Sequence, residues 1–303
     1  MNNHSTRNAC VAWLLLLLAS SGLCQCRANL CDDIGDIKTA DVEGLDLKYV
    51  LEGEGSPTIV FLTGFRTGMN LAWDKLFPEV TGISTILAYD RLNYGDSDPS
   101  EDGVPQTGAE IVRVLRLLLK ELLLPPPYLL VAHSIGGLYA QLFARKYANE
   151  TGGVIFIDSS HPDQRERFAE ATKDRNIFLR AYYELVERVT WPFYSIVLSA
   201  SEKQDTEVDF WIETEKQIKE APAFPDIPVA VLSQSAGLIP CALFDPDSGP
   251  TEEVWQELQK DLAKLSPQGY QIVANTGHFV QNEDPGLVLS TIQNMTDKIR
   301  GAN

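Results

Sequence analysis

The stretch Tyr128-Leu-Leu-Val-Ala132-His133-Ser134-Ile135-Gly136-Gly137-Leu138 decides the fold. A hydrophobic run of strand character ends, a serine stands at the bend, and helix-compatible sequence starts at once. Small residues sit two positions before the serine (Ala132) and two and three after it (Gly136, Gly137). A strand-to-helix turn this tight has no room for larger side chains there. It also lifts the serine hydroxyl above the strand end, as a nucleophile elbow requires. The helix that follows aims its first N–H groups and its positive dipole end at the same point.

Working outward, the pattern alternates. Residues 45–51 alternate apolar and polar like a half-buried strand. Residues 58–62 (TIVFL), 84–88, 128–132, 154–157, 229–232 and 270–274 are short apolar runs of the kind buried on both faces of a sheet. Helical sequence separates most of them. Residues 109–123 are rich in Leu and Arg and stop at Pro125-Pro126-Pro127, which forbid helix. Val254, Leu258, Leu262 and Leu265 recur at helical spacing, with Thr251 as their expected N-cap. The last helix is expected to open at Asp284-Pro285 and to bury Val288, Ile292, Met295 and Ile299. Strands alternating with helices predict an α/β protein with a mostly parallel sheet covered by helices on both faces.

One segment breaks the alternation. Residues 161–224 contain no clear strand, yet hold ten of the chain's 27 aromatic residues (Trp 5, Tyr 10, Phe 12). They read as a helical cap inserted into a core made of residues 32–160 and 225–303. Most of these rings would fill the interface between cap and sheet; a few facing a pocket would make it apolar.

At the N-terminus, Arg7 is the only charged side chain in the first 26 residues. An unbroken apolar run follows, VAWLLLLLA from Val11 to Ala19, and then small and weakly polar residues up to Cys26. Nine apolar residues are too few to span a bilayer. The order matches a secretory signal peptide over residues 1–26, with an uncleaved signal anchor as the alternative. A secreted or periplasmic protein without stable membrane insertion after cleavage is expected. Removal of the segment would change the formal charge from −17 to −18. Of the five cysteines, Cys31 and Cys241 would remain, as a disulfide or as two free thiols. Asn149-Glu-Thr and Asn294-Met-Thr are glycosylation sequons.

With 25 Lys+Arg against 42 Asp+Glu, the surface repels phosphate backbones, which argues against nucleic-acid partners. The chain contains no G-x-G-x-x-G, no G-x-x-x-x-G-K-[ST], no H-E-x-x-H and no Cys/His cluster, so no cofactor and no metal is expected.

A serine hydroxyl needs a base. Of four histidines, His4 lies in the leader, His133 adjoins the serine where neighbouring side chains diverge, and His161 begins the cap. His278, in Asn275-Thr-Gly-His278-Phe, follows the final strand and returns to the elbow's edge of the sheet, so elimination makes it the base. The orienting carboxylate has two candidates. Asp158 ends the strand at residues 154–157. Asp245 or Asp247 lies a dozen residues past the strand at 229–232, in reach only if a long loop folds back. Proximity to a strand end favours Asp158. The Ile135 amide supplies one oxyanion donor, and Gly64 allows the Phe65 amide to supply the second. Asp90-Arg91-Leu-Asn93-Tyr-Gly95-Asp-Ser97 reads as a structural turn in which Asn93 and Gly95 tolerate positive φ and Asp90 and Arg91 tie down neighbouring loops.

On Thr63-Gly64-Phe65, Asp90-Arg91 with Gly95 and Ser97, Ala132-His133-Ser134-Ile135-Gly136-Gly137 and Gly277-His278-Phe279, the chain after its leader resembles the α/β-hydrolase superfamily. The resemblance implies an eight-stranded, mostly parallel sheet, a cap after the sixth strand, and the chain order Ser, acid, His. An acid after the sixth strand resembles the haloalkane-dehalogenase type, whose strand-end carboxylate also precedes a proline as Asp158 precedes Pro162. Thr63 stands where the family commonly has His, and Asn93 where it commonly has Gly. A serine at the elbow excludes the dehalogenase and epoxide-hydrolase routes, which use Asp there. The expectation is therefore a secreted serine hydrolase acting on a small, largely apolar ester through an acyl-enzyme. An aminopeptidase or a perhydrolase is the nearest chemical alternative. A non-hydrolytic binding or receptor protein on the same fold is the alternative of another class, against which the Ser134/His278 pair weighs.

Overall fold

The computed structural model describes residues 34–65, 67–101, 104–171, 173, 210–235 and 249–302. The leader at 1–26, Cys31, Cys241, Asp245, Asp247 and the middle of the expected cap lie outside the described residues.

The sheet grows from a hairpin. β1 (Lys38–Val42) and β2 (Leu45–Glu52) pair antiparallel with Val42 opposite Leu45. The two residues between them, Glu43 (φ 58°) and Gly44 (φ 87°), both have positive φ, the backbone that matches the twist of a two-residue hairpin. Strand β1 was not expected from the residues themselves, although the family resemblance implied eight strands. Its sequence KTADV buries only Ala40 and Val42, so a solvated edge strand carries almost no apolar signal.

Six further strands follow: β3 (Thr58–Leu62), β4 (Ile86–Tyr89), β5 (Tyr128–His133), β6 (Thr151–Ile157), β7 (Val229–Gln234) and β8 (Tyr270–Ala274). The order across the sheet is β1-β2-β4-β3-β5-β6-β7-β8, and every pairing from β4 onward is parallel. Strand β4 starts two residues later than expected; ahead of it the Ser84 hydroxyl donates to the Pro57 carbonyl (2.7 Å).

The period-2 geometry of a strand splits the core into two layers. Val60, Leu62, Leu130, Ala132, Val154 and Phe156 face one side, covered by α3 (Gly108–Glu121) and α4 (Gly136–Lys146). Ile59, Phe61, Leu129, Val131, Ile155 and Ile157 face the other. There they meet α1 (Met69–Trp73), α2 (Phe77–Val80) and the terminal helix, whose Val288, Ile292, Met295 and Ile299 are buried as expected. Burial on both sides explains why these strands read as uninterrupted apolar runs.

Helix α3 is capped by Thr107, whose hydroxyl accepts from the Glu110 N–H (3.3 Å), and ends at Glu121, two residues before the expected limit. Between β6 and β7 the described residues form α5 (Gln164–Ala171) and α6 (Trp211–Glu220) and no strand. Helix α6 is rooted on α3: Thr214 Oγ1 accepts from the Gly108 N–H and Gln217 Oε1 from the Ala109 N–H, both at 2.8 Å. These side chains satisfy amides that the first turn of α3 leaves open. Helix α7 (Gly249–Ala263) begins two residues before Thr251, so Thr251 lies inside its first turn and is not its N-cap. Helix α8 (Val280–Glu283) hands over to α9 (Pro285–Ala302) at Asp284, whose carboxylate accepts from the Leu287 N–H (3.0 Å), the cap expected from Asp284-Pro285. Near the end of α9, Arg300 donates to the carbonyls of Ser56 (2.7 Å) and Ile83 (2.8 Å), the loops that lead into β3 and β4. Among the described residues, no helix is long and apolar enough to cross a membrane.

Candidate active site

The C-terminal ends of β5, β6 and β8 converge on one edge of the sheet. Strand β5 ends at His133, and Ser134 takes φ 54°, a left-handed conformation that a side-chain-bearing residue adopts only when its surroundings enforce it. The enforcement is visible at the small residues. A Cβ on Gly136 would lie 2.6 Å from the Leu62 carbonyl oxygen, and one on Gly137 would lie 2.4 Å from the Ser159 Cβ. Ser134 remains partly exposed between the buried residues His133 and Ile135.

A second strained turn lies beside the first. Asp158, at the end of β6, has φ 40° and is completely buried. The two turns are tied together: the Ser160 N–H donates to the Ser134 carbonyl (2.9 Å), and the Ser159 hydroxyl donates to the Ala132 carbonyl (2.8 Å). The glycine at 137 therefore makes the space in which the acid turn packs against the elbow.

His278 follows β8 in a loop fastened by the Glu283 carboxylate, which accepts from the Gly277 N–H (2.9 Å). Its Nδ1 lies 2.6 Å from Asp158 Oδ2. The other carboxylate oxygen accepts from the Trp255 indole N–H (2.8 Å) and the Gln234 backbone N–H (3.1 Å). A buried carboxylate is tolerated only when such donors surround it. With Nδ1–H donating to Asp158, the imidazole presents Nε2 as an acceptor. The structure thus brings Asp158 and His278 into contact and sets Ser134 on the turn bonded to the acid's turn. Among the described residues, no hydrogen bond runs from the Ser134 hydroxyl to the imidazole.

His133 is closer to this chemistry than side-chain divergence along a strand implied. Its ring is buried, 4.7 Å from the His278 ring and 5.2 Å from Phe279, and its Nε2 lies 3.1 Å from the His278 carbonyl oxygen. Burial and the neighbouring His278 push its pKa well below the ordinary histidine value, so it stays neutral and donates from Nε2.

For the oxyanion, Ile135 is the N-cap of α4, and the next turn is closed by the Gly137 N–H on the Ser134 carbonyl (3.0 Å) and the Leu138 N–H on the Ile135 carbonyl (2.9 Å), which sets the Ile135 amide at the head of the helix. Phe65 lies in the loop after β3, next to Gly64, where a Cβ would come within 2.9 Å of His133 Nδ1. Arg91 shapes that loop. Its buried guanidinium donates from Nη1 to the Thr63 carbonyl (3.0 Å) and hydroxyl (2.5 Å), and from Nη2 to the Gly64 carbonyl (3.0 Å). Thr63 is thus an anchor for Arg91. Asp90 accepts from the Met69 (2.7 Å) and Asp96 (3.3 Å) N–H groups, and Asn93 (φ 73°) and Gly95 (φ 53°) take positive φ as expected.

Trp255 and Gln234 were not singled out in the sequence. Trp255 sits in the helix read only for its apolar stripe, and Gln234 contributes a backbone group, which no side-chain pattern reports.

The family model for the alpha/beta hydrolase family matches residues 59–291. The uncharacterized protein YbdG of Bacillus subtilis is 32% identical over 139 residues, 45% of this chain and 41% of that protein, so the match spans less than half of that relative. A haloalkane dehalogenase of Sphingobium indicum is 25% identical over 296 residues, covering 88% of this chain and 97% of the relative. The crystal structure of the enol-lactonase from Burkholderia xenovorans LB400 shares the fold at a TM-score of 0.57 and 17% identity, over 85% of this chain and 99% of that one. With a match that runs from the third strand into the last helix, the chain belongs to the alpha/beta hydrolase family.

Proposed function

We propose that this hydrolase is a serine hydrolase that works by acyl transfer. The observation that carries the reading is the 2.6 Å contact between Asp158 and His278 beside a strained Ser134. In this reading Ser134 attacks a carbonyl, His278 Nε2 takes the hydroxyl proton and returns it to the leaving group, and Asp158 fixes the imidazole through Nδ1. The Ile135 and Phe65 amides receive the oxyanion. Water then enters and hydrolyses the acyl-enzyme by the same proton relay. The hydrogen bond between Ser134 and His278 forms when substrate closes the site, as base–nucleophile contacts commonly tighten only in the loaded enzyme. A serine at the elbow separates this reading from the chemistry of the dehalogenase relative. The aromatic residues of 161–224, with Phe168 of α5 beside Trp255, favour a small, largely apolar ester. The leader at 1–26 directs export.

A fluorophosphonate probe tests the reading. The wild-type protein is expected to be labelled and to turn over short nitrophenyl esters, and Ser134→Ala to do neither. Equal labelling of both would overturn the serine mechanism. Labelling without turnover of any ester or amide would favour a binding protein on the same fold.

A further inference from the structure

Asp158 does two things that cost free energy: it buries a carboxylate and holds φ at 40°. One helix contributes to both. On α7, Trp255 and Gln259 are four residues apart and therefore share a face. Both are buried, at 1% and 0% exposure. Trp255 donates from Nε1 to Asp158 Oδ1 (2.8 Å). Gln259 grips the next residue twice: its Oε1 accepts from the Ser159 N–H (3.3 Å), and its Nε2 donates to the Ser159 carbonyl (2.8 Å). One side chain holds the acid's carboxylate and the other holds the backbone that aims it.

We propose that Trp255 and Gln259 are positioning residues for the acid: α7 holds Asp158 in the orientation in which Oδ2 faces His278. The inference rests on the acyl-transfer reading for its effect on rate, but its geometry does not. The alternative is that Trp255 merely packs, since its ring also lies 6.3 Å from Phe168 and 6.4 Å from His278. Phenylalanine keeps a buried aromatic ring but loses the N–H donor together with part of the indole's volume, so Trp255→Phe is read beside Gln259→Met, which leaves the Trp255 ring in place.

Two measurements on the full chain test this. In proton NMR, the far-downfield Nδ1 proton of His278, assigned by its loss in His278→Ala, is expected to shift in Trp255→Phe and in Gln259→Met. In ester hydrolysis, each variant is expected to lower kcat about tenfold with KM changed less than about twofold, and Trp255→Phe to cost nothing further in an Asp158→Asn background. An unmoved Nδ1 resonance in both variants would overturn the proposal, as would an equal rate loss with and without Asp158. Should Trp255→Phe fail to fold, Gln259→Met carries the same readouts. Should the wild-type protein show no probe labelling, the serine mechanism fails while the Nδ1 resonance still decides whether α7 holds the acid.

Discussion

At the scale of single residues, His161 is the buried histidine whose titration reaches into an accessible pH range. Burial holds its pKa down at about 4, with Asp163 and Asp261 opposing the shift and Arg167 and Lys219 reinforcing it. Its Nδ1 accepts from the Asp163 N–H (3.1 Å), a bond that protonation would break. Between the ordinary value of 6.5 and about 4 the unfolded chain binds the proton and the native chain does not. The contribution to stability is therefore complete above pH 6.5 and is lost as pH falls toward 4, by up to about 3 kcal/mol. His161→Asn retains an acceptor without a titration. Its denaturant midpoint is expected to drop less than that of the wild type between pH 7 and 4.5. Equal drops would remove His161 as the cause.

At the scale of elements, Arg91 spans the turn after β4 and the loop after β3. Three hydrogen bonds to Thr63 and Gly64 fix the backbone next to Phe65. A lysine ammonium cannot reproduce that planar fork. Arg91→Lys is expected to lower kcat by about one to two orders of magnitude, the scale of a disturbed oxyanion donor, with a smaller effect on KM. Steady-state ester hydrolysis checks this; an unchanged kcat would show that the loop holds its shape without the guanidinium. Elements also show where the sequence stops speaking. Strands β3, β5, β6 and β7 were legible because two covered faces leave an apolar run with no polar interruption. The elbow was legible because Gly136 and Gly137 record sterics in the chain itself. Strand β1 was not, since half of it is solvated. Nor was the role of Trp255, whose partner lies 97 residues away and meets it only through the packing of α7 on the sheet.

At the scale of the whole molecule, charge and core pull against each other. A formal charge of −17 repels itself across a surface held together by two apolar layers. Raising ionic strength from 0.01 M to about 0.15 M shortens the screening length from about 30 Å to about 8 Å. The thermal midpoint is expected to rise over that interval, as calorimetry would show; a fall would mean that attractive pairs such as Arg116–Glu150 and Arg167–Asp261 outweigh the net repulsion. The grip of Arg300 on Ser56 and Ile83 has a consequence for biosynthesis. The bolts that secure the entries to β3 and β4 are 244 and 217 residues downstream of the loops they hold. During translation these strands must wait, incompletely fastened, until Arg300 has left the ribosome.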